Sequence, residues 1–297
     1  MGLTAAFLGA LFSSSKDLVS KKISFSVDGT VSAFASFLFS LPYYLVALSV
    51  LYVLGYERFA VTSTFFVLVV LRSSTDAIAE GLKMHAFSHG DISVVSCFLS
   101  LSPLFLLFIS PLVTGDSVTA SGGAAIFLIV AGSLVLVYDP KGKGIAITGK
   151  GVWLGLAASL FFSLNSCFDR LAVQVASPVL SGFAMTVLAA LLLLPFVAFN
   201  RRSWEPLSKH ARPFWVRGFF ELAYMVSKLW ALQYLQAPYV VGIGKLALLL
   251  SIVGGRVFFK EGQFGRRLAA GFLILAGVLV IVWAEGRQES RGQGPAG

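Results

Sequence analysis

Charge is scarce in this chain. Of its 297 residues, 12% are Asp, Glu, Lys or Arg, whereas a soluble domain carries about a quarter. Cysteine and histidine are rarer still, two and three residues. Cys97 and Cys167 lie in separate apolar runs with no CxxC or Cys/His grouping, which leaves out a disulfide framework and a zinc site. His85, His89 and His210 also lack metal-ligand spacing. The stretch Asp139-Pro140-Lys141-Gly142-Lys143-Gly144 is glycine-rich but has neither a Walker pattern nor a suitable helix start behind it. No nucleophile, base and orienting group recur at workable spacing, so neither an enzyme nor a cofactor is expected. The start of the chain shows no basic n-region or cleavage site, and Ala6 stands where a myristoylation signal needs Ser or Thr. A removable leader or an N-terminal lipid anchor is therefore not expected.

What the chain has instead is apolar length. Hydrophobic residues make up 57% and the mean hydropathy is +0.85. Apolar runs fall at about 3–20, 31–54, 65–87, 92–113, 122–138, 151–171, 179–199, 213–235, 238–259 and 268–285, each near the length that crosses a bilayer. The breaks carry turn chemistry, as in Asp28-Gly29, Gly115-Asp116-Ser117, Ser177-Pro178 and Ala237-Pro238. Lipid offers no partner for an open backbone, and the period-two alternation of a barrel is absent, so the runs are expected to be helices. The reading is an all-α membrane protein with ten transmembrane helices, placed in a plasma (inner) membrane.

The ten runs repeat. Sliding the sequence by about 149 residues sets Ala10-Leu11-Phe12 on Ser159-Leu160-Phe161, Ser32-Ala33-Phe34-Ala35 on Ser181-Gly182-Phe183-Ala184, and Lys16 on Asn165. A shift near 145 superposes Arg72 on Arg217, Asp76 on Glu221, Lys83 on Lys228, Asp116 on Glu261 and Ala131-Gly132 on Ala276-Gly277. Intramembrane charges are rare enough that their recurrence in register weighs more than matching leucines. The boundaries follow: a first repeat over 1–140, a connecting loop at 141–150, a second repeat over 151–286 and a disordered tail at 287–297.

Five helices per repeat is an odd number, so the second copy must enter the membrane from the other side. The expected plan is two inverted five-helix repeats, a common plan for secondary transporters. Basic residues agree with it. Lys21, Lys22, Lys141, Lys143, Lys150, Arg201, Arg202, Lys209, Arg212, Arg256, Lys260, Arg266 and Arg267 fall on one face; Arg58, Arg170, Arg287 and Arg291 fall on the other. The positive-inside rule makes the first face cytoplasmic and both termini extracytoplasmic. The formal net charge of +9 is then a topology signal, and no nucleic-acid partner is expected.

The charges inside spans form stripes. Arg72, Asp76, Glu80 and Lys83 sit at about 0, 40, 80 and 20 degrees around a helix; Arg217, Glu221, Tyr224 and Lys228 sit at about 0, 40, −20 and 20 degrees. A charged stripe against lipid is costly, so both should face the interior or a water-filled cavity. The competing structural reading is local pairing, and Arg72 with Asp76 and Arg217 with Glu221 are expected as i,i+4 ion pairs. Lys83 and Lys228 have no acid four residues on and are placed in the cavity. Lys245, flanked by Gly242 and Gly244, is an isolated cation deep in the ninth run; it needs a ligand, water, or a pair with Glu221 or Asp169. Lys16 and Asn165 are the matched polar residues of spans one and six, and Trp230 is added as a cavity candidate near Lys228. The solute-binding set is therefore Lys16, Asp76, Glu80, Lys83, Asn165, Glu221, Tyr224, Lys228, Trp230 and Lys245, with Arg72 and Arg217 structural.

Three features resemble the drug/metabolite transporter superfamily in its ten-helix EamA branch: Trp230-Ala231-Leu232-Gln233-Tyr234 ending the third helix of the second repeat, Leu99-Ser100-Leu101-Ser102-Pro103-Leu104-Phe105 in the fourth of the first, and the small-plus-acid turns Gly115-Asp116 and Lys260-Glu261-Gly262. The resemblance implies a basket of helices 1–4 and 6–9 around a cavity, with helices 5 and 10 packed at the side. Their Gly122, Gly123, Ala131, Gly132, Gly271, Ala276 and Gly277 suit a close crossing. The function expected is alternating-access transport of a small solute bearing a carboxylate or phosphate, such as an amino acid, with export as the direction and protons as a candidate coupling ion. An exporter of lipophilic cations and a non-transporting membrane assembly protein are the alternatives. Beyond the lipid bilayer, the expected partner is the solute, with the chain a monomer or homodimer.

Overall fold

The computed structural model describes residues 1–24, 27, 29–56, 61–89, 95, 98–116, 118–137, 149–198, 211–250 and 264–290. Among them the apolar runs close into ten helices and no strand. These are α1 (Gly2–Ser24), α2 (Gly29–Val53), α3 (Ser63–His89), α4 (Ser102–Val113), α5 (Ala120–Val137), α6 (Lys150–Val175), α7 (Pro178–Ala198), α8 (Ala211–Tyr234), α9 (Ala237–Gly244) and α10 (Phe264–Ser290).

Short polar residues start these helices by satisfying free backbone N–H groups. Thr62 Oγ1 accepts from Phe65 N, Thr119 Oγ1 from Gly122 N and Ser177 Oγ from Leu180 N, each at 3.1 Å. Prolines occupy the first turns of α4 and α9, where an N–H has no helical partner to lose. After α2 and α4 the chain turns through Gly55 and Gly115, whose φ values of 75° and 70° suit a residue without Cβ.

By length and composition α2, α6 and α7 are apolar enough to cross a membrane, while α4, α5, α9 and α10 contribute shorter apolar stretches. The fourth and ninth runs differ from the continuous spans expected of them. Residues 98–99 are helical, a turn follows at 100–101, and only then does α4 begin; α9 likewise turns at Lys245 before residues 246–250 resume as helix. At the other extreme α10 continues to Ser290, past the expected start of the tail at 287, and 291–297 lie outside the described residues. So does the linker apart from its last two positions, 149 and 150.

Packing joins helices from different halves. α1 lies along α8, α3 along α6, α2 along α7 and α5 along α10, while α4 and α9 meet each other. The α5–α10 crossing is as close as its small residues allow: a Cβ on Gly277 would come within 2.6 Å of Ile129 Cγ1 and 2.7 Å of the Ala125 carbonyl oxygen. Gly218 does the same for α8 on α2, where a Cβ would meet the Phe39 carbonyl at 2.6 Å. Large apolar side chains such as Phe66, Leu112, Trp153, Phe196 and Phe272 point outward, as lipid contact requires.

Candidate functional site

Charge inside the helix assembly is arranged as a ladder running from one end of the helices toward the other. Asp169 on α6 is fully buried and holds two cations: Arg72 Nε from α3 at 3.0 Å and Lys228 Nζ from α8 at 2.7 Å. Arg72 Nη1 also reaches Asp76 Oδ2 at 3.2 Å, one helical turn along α3. The other oxygen of Asp76 accepts from Asn165 Nδ2 at 2.6 Å, and Asn165 Oδ1 accepts from Thr75 Oγ1 at 2.6 Å. Six polar side chains on three helices thus satisfy one another, which is what makes a buried ionic group tolerable.

A second cluster lies between α1, α2 and α8. Lys16 Nζ stands 3.4 Å from Glu221 Oε2 and 4.4 Å from the centre of the Tyr224 ring, while Ser36 Oγ donates to Glu221 at 2.8 Å. The close α8–α2 approach at Gly218 sets up these contacts. Asp17, about 100° around α1 from Lys16, shares the inner side of the helix with buried Ala6 and Ala10, opposite the outward Phe7, Leu8 and Leu11. Farther along α3, Glu80 and Lys83 pair with each other one turn apart, and Lys83 also lies 5.6 Å from the Phe162 ring centre.

The two clusters correspond through the sequence repeat. Lys16 matches Asn165 and Glu221 matches Asp76; in the structure Lys16 contacts Glu221 and Asn165 contacts Asp76. One position is a cation on a carboxylate and its counterpart an amide on a carboxylate.

Several expectations need correcting. Arg217 does not take Glu221 as its partner: its Nη1 donates to the Ser32 carbonyl oxygen at 2.5 Å and to the Ser32 hydroxyl, because Lys16 and Ser36 already occupy the carboxylate. Arg72 does pair with Asp76 but equally with Asp169. Lys83 and Lys228 are not free cations, since Glu80 and Asp169 hold them. Trp230, 49% exposed, lies on the outer face of α8 with Phe219, away from Lys228. Lys245 takes neither Glu221 nor Asp169 and has no ion pair or hydrogen bond from its ammonium among the described residues; it sits at the interruption of α9. Asp169, central here, enters the sequence reading only as a possible partner of Lys245, and its neighbour Arg170 only as a charge at the membrane face. Among the described residues no group of three His, Cys, Asp or Glu is placed to hold a metal ion.

Arg170 and Asp116 form a further pair near the ladder. Arg170 Nε lies 2.7 Å from Asp116 Oδ1, and its Nη1 donates to the carbonyls of Leu232, at 2.9 Å, and Leu235. The remaining Asp116 oxygen accepts from Ala237 N at 3.0 Å and so caps α9.

Comparison with known proteins agrees with this architecture. Residues 149–283 match the EamA-like transporter family. A solved crystal structure with 18% sequence identity superposes at a TM-score of 0.69 over 97% of this chain and 98% of the other, which shows a common fold. No curated protein matches.

Proposed function

We propose that this chain, whose residues 149–283 match the EamA-like transporter family, is a secondary active transporter that moves a small solute by alternating access. The observation that carries the proposal is the ladder: Asp169, Lys228, Arg72, Asp76, Lys16 and Glu221 converge from α1, α3, α6 and α8 onto the interior, although apolar packing would cost less there. Intramembrane ionic groups retained at such cost mark a solute or ion path.

The correspondence of Lys16–Glu221 with Asn165–Asp76 supports two five-helix halves related by inversion. So does the way the helices pair across the halves, α1 with α8 and α6 with α3. In this plan the halves rock about a site at mid-depth, and the turns at 100–101 and at Lys245 supply the interrupted helices that such sites use.

The solute we favour carries a carboxylate or phosphate. Asp76, Glu80, Asp169 and Glu221 are each engaged by a cation or amide, so none of these four is the solitary carboxylate that a lipophilic cation would need. Asp17, beside Lys16 on the inner side of α1, is the acid left to such a solute. Lys245 has no described partner, and Lys16 is held loosely, at 3.4 Å, so these two ammonium groups are available to an incoming anion. Thermal-shift screening of the purified protein against amino acids, sugar phosphates and lipophilic cations tests the reading. Stabilisation by one of the first two classes, reduced in Lys16→Ala and Lys245→Ala, is the expected outcome; stabilisation by lipophilic cations alone would replace it.

A further inference from the structure

The ladder is not equally accessible along its length. Asp169 is 0% exposed and the side chains of Arg72 and Asp76 are 10% and 13%, whereas Lys83 and Glu80, farther along α3, reach 25% and 28%. Exposure therefore rises away from the end at which α6 and α8 terminate. At that end the chain is tied shut by polar contacts between segments distant in sequence. Asp116, in the link between α4 and α5, is 1% exposed; it meets Arg170 of α6 and caps α9 through Ala237 N. Arg170 simultaneously takes the last carbonyls of α8. Tyr239 of α9 contributes a hydroxyl to Thr119 N at 3.3 Å, and Gly2 of α1 fits against Tyr234 and Leu235 with no room for a Cβ.

We propose that the Arg170–Asp116 ion pair is a latch that closes this end of the solute path. The inference rests on the transporter reading and adds the element that holds one face shut. Three features favour a latch over a static brace. The pair joins the first half, through Asp116, to three elements of the second, so opening between the halves must break it. Separating the halves at the membrane surface returns both charges to water, and hydration then compensates for the lost attraction, leaving two states close in free energy. Arg170 is also the chain neighbour of Asp169: a rotation of α6 that changes how Asp169 holds Lys228 and Arg72 moves Arg170 relative to Asp116. Solute binding on the ladder is coupled in this way to closure at the end.

Cysteine accessibility tests the latch without a known solute. In a chain with Cys97 and Cys167 replaced by alanine, one reporter is Val173→Cys, buried on α6 beside the latch, and the other is Phe162→Cys, half-buried on α6 beside Lys83 at the other end of the ladder. A membrane-impermeant maleimide is applied to each side of sealed vesicles, and labelling rates are compared between the latched background and Asp116→Asn, which removes the charge while keeping an oxygen for Ala237 N. Arg170→Lys serves as the second, milder variant. Labelling of Val173→Cys from the latch side is expected to rise roughly tenfold in Asp116→Asn, with a matching fall at Phe162→Cys from the other side, as a shift between two states requires. Unchanged labelling at Val173→Cys would overturn the latch, and so would a rise there with Phe162→Cys unaffected, since that is local fraying. If the labelling pattern responds but no solute is ever transported, the transporter reading fails and not the latch.

Discussion

Lys228 on α8 donates to Asp169 on α6 at 2.7 Å, and the same carboxylate receives Arg72 from α3, so one buried acid holds three helices of the assembly together. Removing it leaves Lys228 with no acid among the described residues and Arg72 with Asp76 alone.

Asp169→Asn is expected to destabilise the folded protein by about 3–5 kcal/mol, the usual cost of orphaning a buried charge. Lys228→Met in the same background restores part of the loss by removing one orphan. Melting of the detergent-purified variants checks both statements; a double variant no more stable than Asp169→Asn alone would show that the pair is not coupled.

At the second cluster the expected effect is on transport more than on stability. Glu221→Gln keeps an oxygen for Ser36 Oγ but releases Lys16, which then meets only the Tyr224 ring. Solute exchange should fall at least about tenfold, as for a lost charge-assisted contact of about 1.5–3 kcal/mol, while the melting temperature moves much less than in Asp169→Asn. Parallel melting and exchange assays on one preparation decide it.

Trp230→Phe serves as the contrasting control. The indole lies on the outer surface, so exchange rates should stay within about twofold of the parent, consistent with a surface change of about 0.5 kcal/mol. A loss as large as that of Glu221→Gln would return Trp230 to the solute path.

Gly277→Val tests the α5–α10 crossing. Its Cβ would overlap Ile129 and the Ala125 carbonyl, and overpacking of that kind costs about 1–3 kcal/mol. Lower thermal stability is expected, with unchanged solute affinity in the fraction that remains folded, because the crossing carries none of the ladder residues.

Much of this architecture was legible before any coordinates. Apolar runs and their Gly, Pro and Asp breaks locate nearly every helix, since lipid leaves the backbone no alternative to local pairing. The breaks at residues 100–101 and at Lys245 escape that reading because hydropathy stays high through them. Local spacing finds Arg72–Asp76 but misassigns Arg217, whose partner Ser32 lies on another helix. Lys228 illustrates the limit more sharply: its acid is 59 residues away, and no periodicity on α8 encodes it. Trp230, two positions on from Lys228, lies about 200° around the helix from it, so its outward position was implicit in helical geometry. The repeat singled out Asp116 through its match to Glu261, whereas Arg170 was read as a charge at the membrane edge.

The central claim, that the interior ladder carries a solute, is tested most directly by exchange in proteoliposomes. Vesicles containing the parent chain and preloaded with an unlabelled amino acid or sugar phosphate should accumulate its labelled counterpart above protein-free vesicles, and Glu221→Gln should abolish that accumulation. Equal accumulation by the parent and Glu221→Gln proteins would contradict the ladder as the path, and no accumulation by the parent for any member of either class would contradict the proposed solute chemistry.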